Sequence, residues 1–405
     1  MRIAVIIAEY NPFHNGHAYH IAQTRKNGAT HIAAVMSGNF VQRGEPAFLE
    51  KHVRARAALS GGADLVLELP LAFACAPAQR FGLGAVYVAE KMGCVDMLSF
   101  GSESGDTARL EQAAAVLDTP QFRETLAREL ESGAPYPQAV SRAMERCGNS
   151  FARLTASPND TLALEYLRAL RQLGSKIRPM AVRRAFVEHD AEEAADGFSS
   201  ASRLRTLAQP EEIAAYVPEK AAQLYRAELE DGHTPDLQRL DAAVLGVLRR
   251  QQREGFSRLR MLTPEDAARL PDLSEGIENR FWNAMRSGSS MEEILTLAKT
   301  KRYPHARLRR MMMHAFLGVT QEMAEELPAY LRVLGANERG REILSVTAGT
   351  AGLPVSASLA ELERSGPTAA KQARMEALST DLYQGILGCP GPCATDYTAP
   401  AIWNA

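Results

Sequence analysis

Ile3 to Ala8 form a short unbroken apolar run, IAVIIA, rich in Ile and Val. A run of that length reads as a strand buried on both faces, as in the middle of a parallel sheet. Glu9 to Pro12 breaks it, because Pro12 cannot donate to a sheet ladder. His14-Asn15-Gly16-His17 follows, and Ala18 onward has a helical pattern that Gly28 stops. The chain is thereby committed to strand, turn and helix, with two histidines and a glycine at the junction.

That junction suits a nucleotide. Helix N-terminal amides carry partial positive charge and attract phosphate. Gly16, with no Cβ, lets the backbone approach a ligand closely. Imidazoles at such a turn can donate to phosphate oxygens and steady the charge that builds as pyrophosphate leaves. Other readings compete. His14, His17 and His20 stand at i, i+3 and i+6 and could form a zinc face, although no nearby carboxylate or Cys stands in register. They could be solvated surface histidines, which is less expected of a cluster behind a buried strand. A signal peptide is disfavoured, because the apolar run is too short and no small-residue cleavage site follows.

HNGH resembles the HxGH signature of the nucleotidylyltransferase superfamily, whose members attack the α-phosphate of ATP and expel pyrophosphate. The longer string AEYNPFHNGHAYH, followed by MSGNFVQRGEPAF at Met36 to Phe48, is more specific. Together they resemble the bacterial tRNA(Met) cytidine acetate ligase family. The resemblance implies catalytic roles for His14 and His17. It also implies an ATP-binding stretch made of Ile7, Ala8, Glu9, Tyr10, Asn11, Pro12, Phe13, His14, Asn15, Gly16, His17, Ala18, Tyr19 and His20.

At 405 residues the chain is too long for one ordinary core, and two or three domains are expected. Apolar content of 46% with 23% charged is that of a soluble globular protein, and no run approaches the ~20 apolar residues that span a bilayer. With no export signal the expected location is cytoplasmic. Five scattered Cys do not make a disulfide framework, and CPGPC at Cys389 and Cys393 is a poor zinc site without a second pair. A net charge of −2 means that any RNA site must come from local clustering.

Further strands are expected at Thr30 to Met36, Ala63 to Pro70 and Val95 to Phe100, with a crossover helix at Ala78 to Met92 and a fifth strand at Lys176 to Phe186. Gln42, Arg43 and Gly44 lie on the loop after the second strand, where Arg43 could pair with phosphate or a carboxylate. Glu50 to Leu59 reads as a helix in which Arg56 is a solvated residue and Lys51 keeps some functional weight. Phe100-Gly101-Ser102-Glu103 resembles the family's nucleotide-binding loop, and Gly101 can lie under an adenine or ribose. Asp106 to Arg153 reads as a helical insertion. Ser157-Pro158-Asn159 is an ordinary helix start by residue type, but it resembles a family motif whose Asn contacts ATP, and an Asn amide can read adenine. The family also places an arginine on the nucleotide at Arg184. Ser199 to Arg205, SSASRLR, is similar to the second superfamily signature, in which serines, helix amides and Arg205 would grip the β- and γ-phosphates.

From about Pro210 the spacing is helical and strands are nearly absent. Between Lys301 and Arg310 five of ten residues are basic, with Tyr303 and His305 among them and no acid. A charge run is usually a solvated face. The resemblance makes Lys301, Arg302, Tyr303, Arg307 and Arg310 a tRNA surface. Met311 to Met313 reads as core. Arg341 to Ala405 is expected to hold a strand-like piece, REILSVTA, then a helix and a Pro-rich tail.

The expected architecture is α/β, a Rossmann-like parallel-sheet nucleotidylyltransferase core followed by a mostly helical C-terminal domain. Its division is 1–207, with a helical insertion at about 104–155, and 208–405, a tRNA-binding part with a small α/β-like end. Residue chemistry argues for ATP binding and attack at the α-phosphate. The resemblance adds acetate as the second substrate, Mg²⁺ with the nucleotide, and transfer of acetyl to N4 of the wobble cytidine of elongator tRNA(Met). Two alternatives remain. One is an enzyme that adenylates a phosphorylated small molecule; the other is an ATP-sensing RNA-binding factor without catalysis.

Overall fold

β1 (Ile3–Ala8) runs through the middle of the main sheet with Ile3 to Ile7 all buried. The remaining strands are β2 (His31–Ser37), β3 (Phe40–Val41), β4 (Glu45–Pro46), β5 (Leu65–Leu69), β6 (Met97–Ser102), β7 (Arg178–Arg183), β8 (Leu331–Ala336), β9 (Val355–Ser356) and β10 (Ile402–Trp403). The computed structural model describes residues 1–147, 151–184, 197–207, 209–255, 270–271, 277–300 and 303–403. The sheet order is β10-β8-β5-β2-β1-β6-β7, with β9 beside β8, and β3 and β4 form a separate hairpin. Within the main sheet the pairs are parallel except β5 with β8, and β3 with β4 is antiparallel.

The two-residue side-chain period divides β1 between two cores. Ile3, Val5 and Ile7 join one, with Val35, Leu67 and Leu98; Ala4 and Ile6 join the other, with Ile32, Ala34 and Val66. Helices α1 (Asn15–Lys26) and α2 (Lys51–Ser60) cover the second face through Ile21, Ala55, Ala58 and Leu59. The helices Ala78–Lys91 and Pro158–Gln172 cover the first. The chain winds outward from β1 through β2 to β5, then returns to β6 and β7 on β1's other side. Winding therefore reverses between β1 and β6, which is where open α/β sheets bind ligands.

The structure changes three expectations. α1 begins at Asn15 rather than Ala18, because His14 is its N-cap. REILSVTA is helical, inside Glu338–Thr350: Asn337 caps that helix by accepting from Gly340 N at 3.0 Å. The strand in this region lies just upstream at β8, and it joins the N-terminal sheet instead of forming a separate piece. The sheet thus runs across the 207/208 division drawn from composition.

Lys51 is the third. Its ammonium is fully buried and donates to Glu68 Oε1 and Asp396 Oδ2, each at 2.8 Å. Arg332 of β8 reaches Glu68 Oε2 at 2.8 Å and both Asp396 oxygens at 2.9 Å. These four charges tie α2, β5, β8 and the C-terminal segment together. The functional weight given to Lys51 gives way to that structural role, whereas Arg56 is exposed as expected. Replacing Asp396 by Ala leaves two buried cations short of their shared partner, a loss that costs about 3–5 kcal/mol. Thermal and denaturant unfolding of D396A should show a loss of that size. A change below about 1 kcal/mol, ordinary for surface pairs, would mean that the cluster does not anchor β8.

Candidate active site

Arg54 fixes where the central strands end. Its buried guanidinium donates from Nε to Leu49 O at 2.8 Å, from Nη1 to Glu9 O at 2.6 Å and Ser37 O at 3.1 Å, and from Nη2 to Gly38 O. One side chain thus holds the carboxyl ends of β1 and β2. By residue type it reads, with Lys51 and Arg56, as a cation of an ordinary solvated helix face; the signal of another role was its place three residues after Lys51, on the same face. Beyond β1 the chain turns through Tyr10, whose φ is +47°, and the Asn11–Pro12 peptide is cis. Phe13 is fully buried against Gly61, where a Cβ would stand 2.3 Å from its ring.

The two histidines of HNGH cap α1 with their rings. His14 Nδ1 accepts from Gly16 N at 3.0 Å, and His17 Nδ1 accepts from His14 N at 3.2 Å. This is the reciprocal arrangement usually made by Ser or Thr with Glu or Gln. A Cβ on Gly16 would stand 2.8 Å from His14 Cε1, so the ring that caps the helix also requires the glycine beneath it. A ring nitrogen that accepts carries no proton. The hydrogen-bond pattern therefore assigns the protons of neutral His14 and His17 to Nε2.

The rings are held in place and held neutral. His14 and His17 stack with centroids 3.8 Å apart, and Tyr10 meets His17 edge-on at 4.9 Å. Burial, with the Arg184 charge adding to it, pushes His14 down to about 3 and His20 to about 4. His17 is also held well below its ordinary value, by burial first and then by His14, Arg184 and His20. His20 Nε2 lies 2.9 Å from Ser99 Oγ of β6.

These groups face a cavity of about 540 Å³ at the switch between β1 and β6. Its wall takes Ile7, Ala8, Glu9, Tyr10 and Asn11 from the end of β1, and His14, Gly16, His17, Tyr19 and His20 from α1. It also takes Gln42, Arg43 and Glu45 from the hairpin, with Gly101, Asn159, Arg184, Ser199 and Arg205 from elsewhere. The volume is within the usual range for small-molecule sites. Pro12, Phe13, Asn15 and Ala18 are outside the wall. Phe13 is a core residue, and Asn15 instead donates to Gly197 O at 2.9 Å.

Residues scattered in sequence are brought together here. Asn159 Nδ2 donates to Glu103 Oε1 at 2.6 Å, and Glu103 Oε2 also accepts from Asp160 N at 2.9 Å. Glu103, rather than Ser157, thus satisfies the start of the helix Pro158–Gln172, a role unforeseen from the residues. Arg205 Nη1 donates to Asn11 O at 3.0 Å. Ser199 Oγ is buried in the wall with no hydrogen-bond partner among the described residues. Among the described residues a Cβ on Gly101 would meet only Arg184 Cγ, at 3.7 Å, an ordinary contact.

The basic segment is placed only in part. Lys301 and Arg302 lie outside the described residues. Tyr303 is not a surface for stacking bases: it is 7% exposed, packs in the core with Leu308 and Met311, and carries the Arg307 guanidinium 5.5 Å from its ring centre. Met311 to Met313 are core, as expected. The helix His305–Leu317 begins against the β3–β4 hairpin, where Arg309 pairs with Glu45. Gly44 has φ +74°, and a Cβ there would stand 2.7 Å from Arg310 N, so the hairpin turn and this helix are in close contact.

The resemblances to known proteins span nearly the whole chain. The HIGH nucleotidyl transferase family matches residues 1–390. A tRNA(Met) cytidine acetate ligase of Acetivibrio thermocellus is 34% identical over 402 residues, covering 95% of this chain and 94% of the relative. One from Thermoanaerobacter sp. (strain X514) is 33% identical, covering 99% and 100%. The crystal structure of Thermotoga maritima TmcAL bound with alpha-thio ATP superposes with a TM-score of 0.87 at 31% identity, covering 100% of both chains. Its apo form gives 0.89 at the same identity. A capped HNGH turn, a cavity at the switch point and full-length likeness to these enzymes make this chain a member of the tRNA(Met) cytidine acetate ligase family of HIGH nucleotidyl transferases.

Proposed function

We propose that this protein activates acetate with ATP and transfers the acetyl group to N4 of the wobble cytidine of elongator tRNA(Met), giving N4-acetylcytidine. The observation that carries the reading is the pair of neutral imidazoles at the α1 N-terminus, both protonated on Nε2 and both in the wall of a cavity ringed by arginines. Such donors suit phosphate. They add no charge of their own and are pre-aimed by the cap.

ATP lies with its triphosphate over the start of α1. Ser199 Oγ, Arg184 and Arg205 supply further donors, and adenine faces Gly101 and Asn159. Acetate oxygen attacks the α-phosphorus, forming the mixed anhydride as the bond to pyrophosphate breaks. His14 and His17 donate to oxygens whose charge grows in that step. Mg²⁺ would enter with the nucleotide on phosphate oxygens and water; among the described residues no group of three or more His, Cys, Asp or Glu is arranged to hold a metal ion. The cytidine amine then attacks the acetyl carbonyl and AMP departs. Residues 1–207 handle ATP in this reading, and residues 208–405 bind tRNA, with Arg307 and Arg310 beside the hairpin that walls the cavity. Among the described residues no helix is long and apolar enough to cross a membrane.

The test is pyrophosphate release from ATP with acetate present or omitted. Release should depend on acetate, and H17A should lower its rate by about 10²–10³-fold, the usual loss for one transition-state donor. Release that ignores acetate would point to a different acceptor for the adenylyl group.

Imidazole nitrogen spectra test the electrostatics. His14 and His17 should show the Nε2–H tautomer and stay neutral at pH 6, below the ordinary imidazole value of about 6.5. Their folded values lie below the unfolded ones, so the unfolded chain binds the extra protons and stability falls as pH drops from about 7 toward 4. A ring titrating near 6.5 would contradict the capping assignment.

For the basic surface, replacing Lys301, Arg302 and Arg307 by Ala should weaken tRNA binding and reduce the slope of log affinity against log salt by about 1 per lost phosphate contact. Unchanged affinity and slope would remove this segment from the interface.

A further inference from the structure

Acyl transfer to an exocyclic amine releases a proton, and the residues so far described leave it without an acceptor. N4 attacks the acetyl carbon and a C–N bond forms. The C–O bond to AMP breaks with its electron pair on the phosphate oxygen, and N4 must lose one hydrogen ion. General bases for such steps contribute about 10²–10⁴-fold when positioned within reach.

The cavity wall offers few basic atoms with an open lone pair. His14 and His17 commit Nδ1 to backbone N–H groups and hold their protons on Nε2. His20 is bound to Ser99. Glu45 is paired with Arg309. The Tyr10 and Tyr166 hydroxyls are held protonated, burial raising both well above their ordinary value.

Glu9 differs from all of them. Its Oε1 accepts from Gln42 N at 2.8 Å, and its second oxygen has no protein partner among the described residues. The residue is part of the cavity wall. It stands at the carboxyl end of β1, between the HNGH cap and the β3–β4 hairpin. That hairpin carries Gly44 and Glu45, which meet Arg310 and Arg309 of the basic helix. An RNA held on that helix would therefore lie beside the hairpin whose Gln42 amide holds Glu9.

We infer that Glu9 is the catalytic base of acetyl transfer, its carboxylate taking the proton from cytidine N4 as the amide bond forms. The inference rests on the ligase reading. The charged and titratable groups acting on Glu9 are Arg43 from the hairpin, Arg54 from α2, Arg205 after the short helix Ala201–Leu204, and Tyr166 from the helix Pro158–Gln172. Burial raises the Glu9 carboxyl above its ordinary value, against the opposing pull of the Gln42 amide and the three arginines. That makes it a stronger base than a surface carboxylate.

Glu9→Gln keeps the shape and the hydrogen bond from Gln42 but removes the basicity. The experiment compares acetate-dependent ATP–pyrophosphate exchange with single-turnover acetyl transfer to tRNA, in wild type and E9Q. Transfer should fall at least about 100-fold further than exchange. Acetyl-adenylate should accumulate in E9Q, trapped by hydroxylamine as acetohydroxamate, and the acid limb of the wild-type transfer profile should disappear. Equal losses in both steps would make Glu9 an ATP-site residue and overturn the inference. Transfer that proceeds in E9Q at the wild-type rate would leave the proton to the departing phosphate and overturn it too. Absence of acetate-dependent exchange in wild type would instead remove the ligase reading itself. Should E9Q fail to fold, E9D serves: its carboxylate, drawn back by one methylene, should slow transfer about 10–100-fold beyond exchange while keeping the acid limb.

Discussion

Everything at the site depends on two imidazoles closing the end of a helix. A Ser or Asp cap would satisfy the same backbone N–H groups but would leave nothing to donate outward. An imidazole has a second nitrogen on the far side of its ring, so capping through Nδ1 turns His14 and His17 into fixed Nε2–H donors. Protonation would destroy this arrangement, because an Nδ1–H cannot accept. Burial and the nearby Arg184 charge oppose that protonation, and so the electrostatics preserve the geometry. Gly16 belongs to the same device, since the His14 ring occupies the place of its missing side chain.

The rest of the fold holds that cap in register with the sheet. Arg54 binds the carbonyls beyond β1 and at the end of β2, so the turn carrying Glu9 and Tyr10 leaves both strands from one fixed point. Arg205 takes hold of Asn11 O from the far side of the cavity. The β3–β4 hairpin then links the cavity wall to the helix His305–Leu317 through Gly44 and the Glu45–Arg309 pair. On the opposite edge, the buried charges of Lys51, Glu68, Arg332 and Asp396 dock β8 onto β5. Phosphate chemistry and the basic helix are thereby mounted on one sheet, a layout that suits two successive reactions in a single cavity.

What was legible in the residues was local. A buried strand, a breaking proline, HNGH and a helical period sit within twenty positions, and each feature constrains the next; even so, α1 starts three residues early because a histidine cap is not a familiar signal. Asn159, Arg184 and Arg205 were identified through motif likeness, and the fold brings all three to the same cavity wall. The non-local features were hidden. β8 is a six-residue buried strand whose partner lies more than 260 positions upstream, and nothing within LRVLGA announces that pairing. REILSVTA carries β-branched residues that favour a strand in isolation, yet the Asn337 cap makes it a helix. Lys51 and Arg54 look like surface cations on an Ala-rich helix, and only their carboxylate and carbonyl partners explain their burial. Tyr303 reads as a stacking aromatic, but it lies just before the helix His305–Leu317 and packs into the core with Leu308 and Met311.

The central claim is that one cavity first makes an acetyl-adenylate and then delivers it to a single base. It is tested most directly by supplying ATP and radiolabelled acetate to two transcripts of elongator tRNA(Met), one natural and one with the wobble cytidine changed to uridine. The account predicts label on the natural transcript alone, released as N4-acetylcytidine on digestion. Label on both transcripts, or on neither while pyrophosphate is still formed, would contradict it.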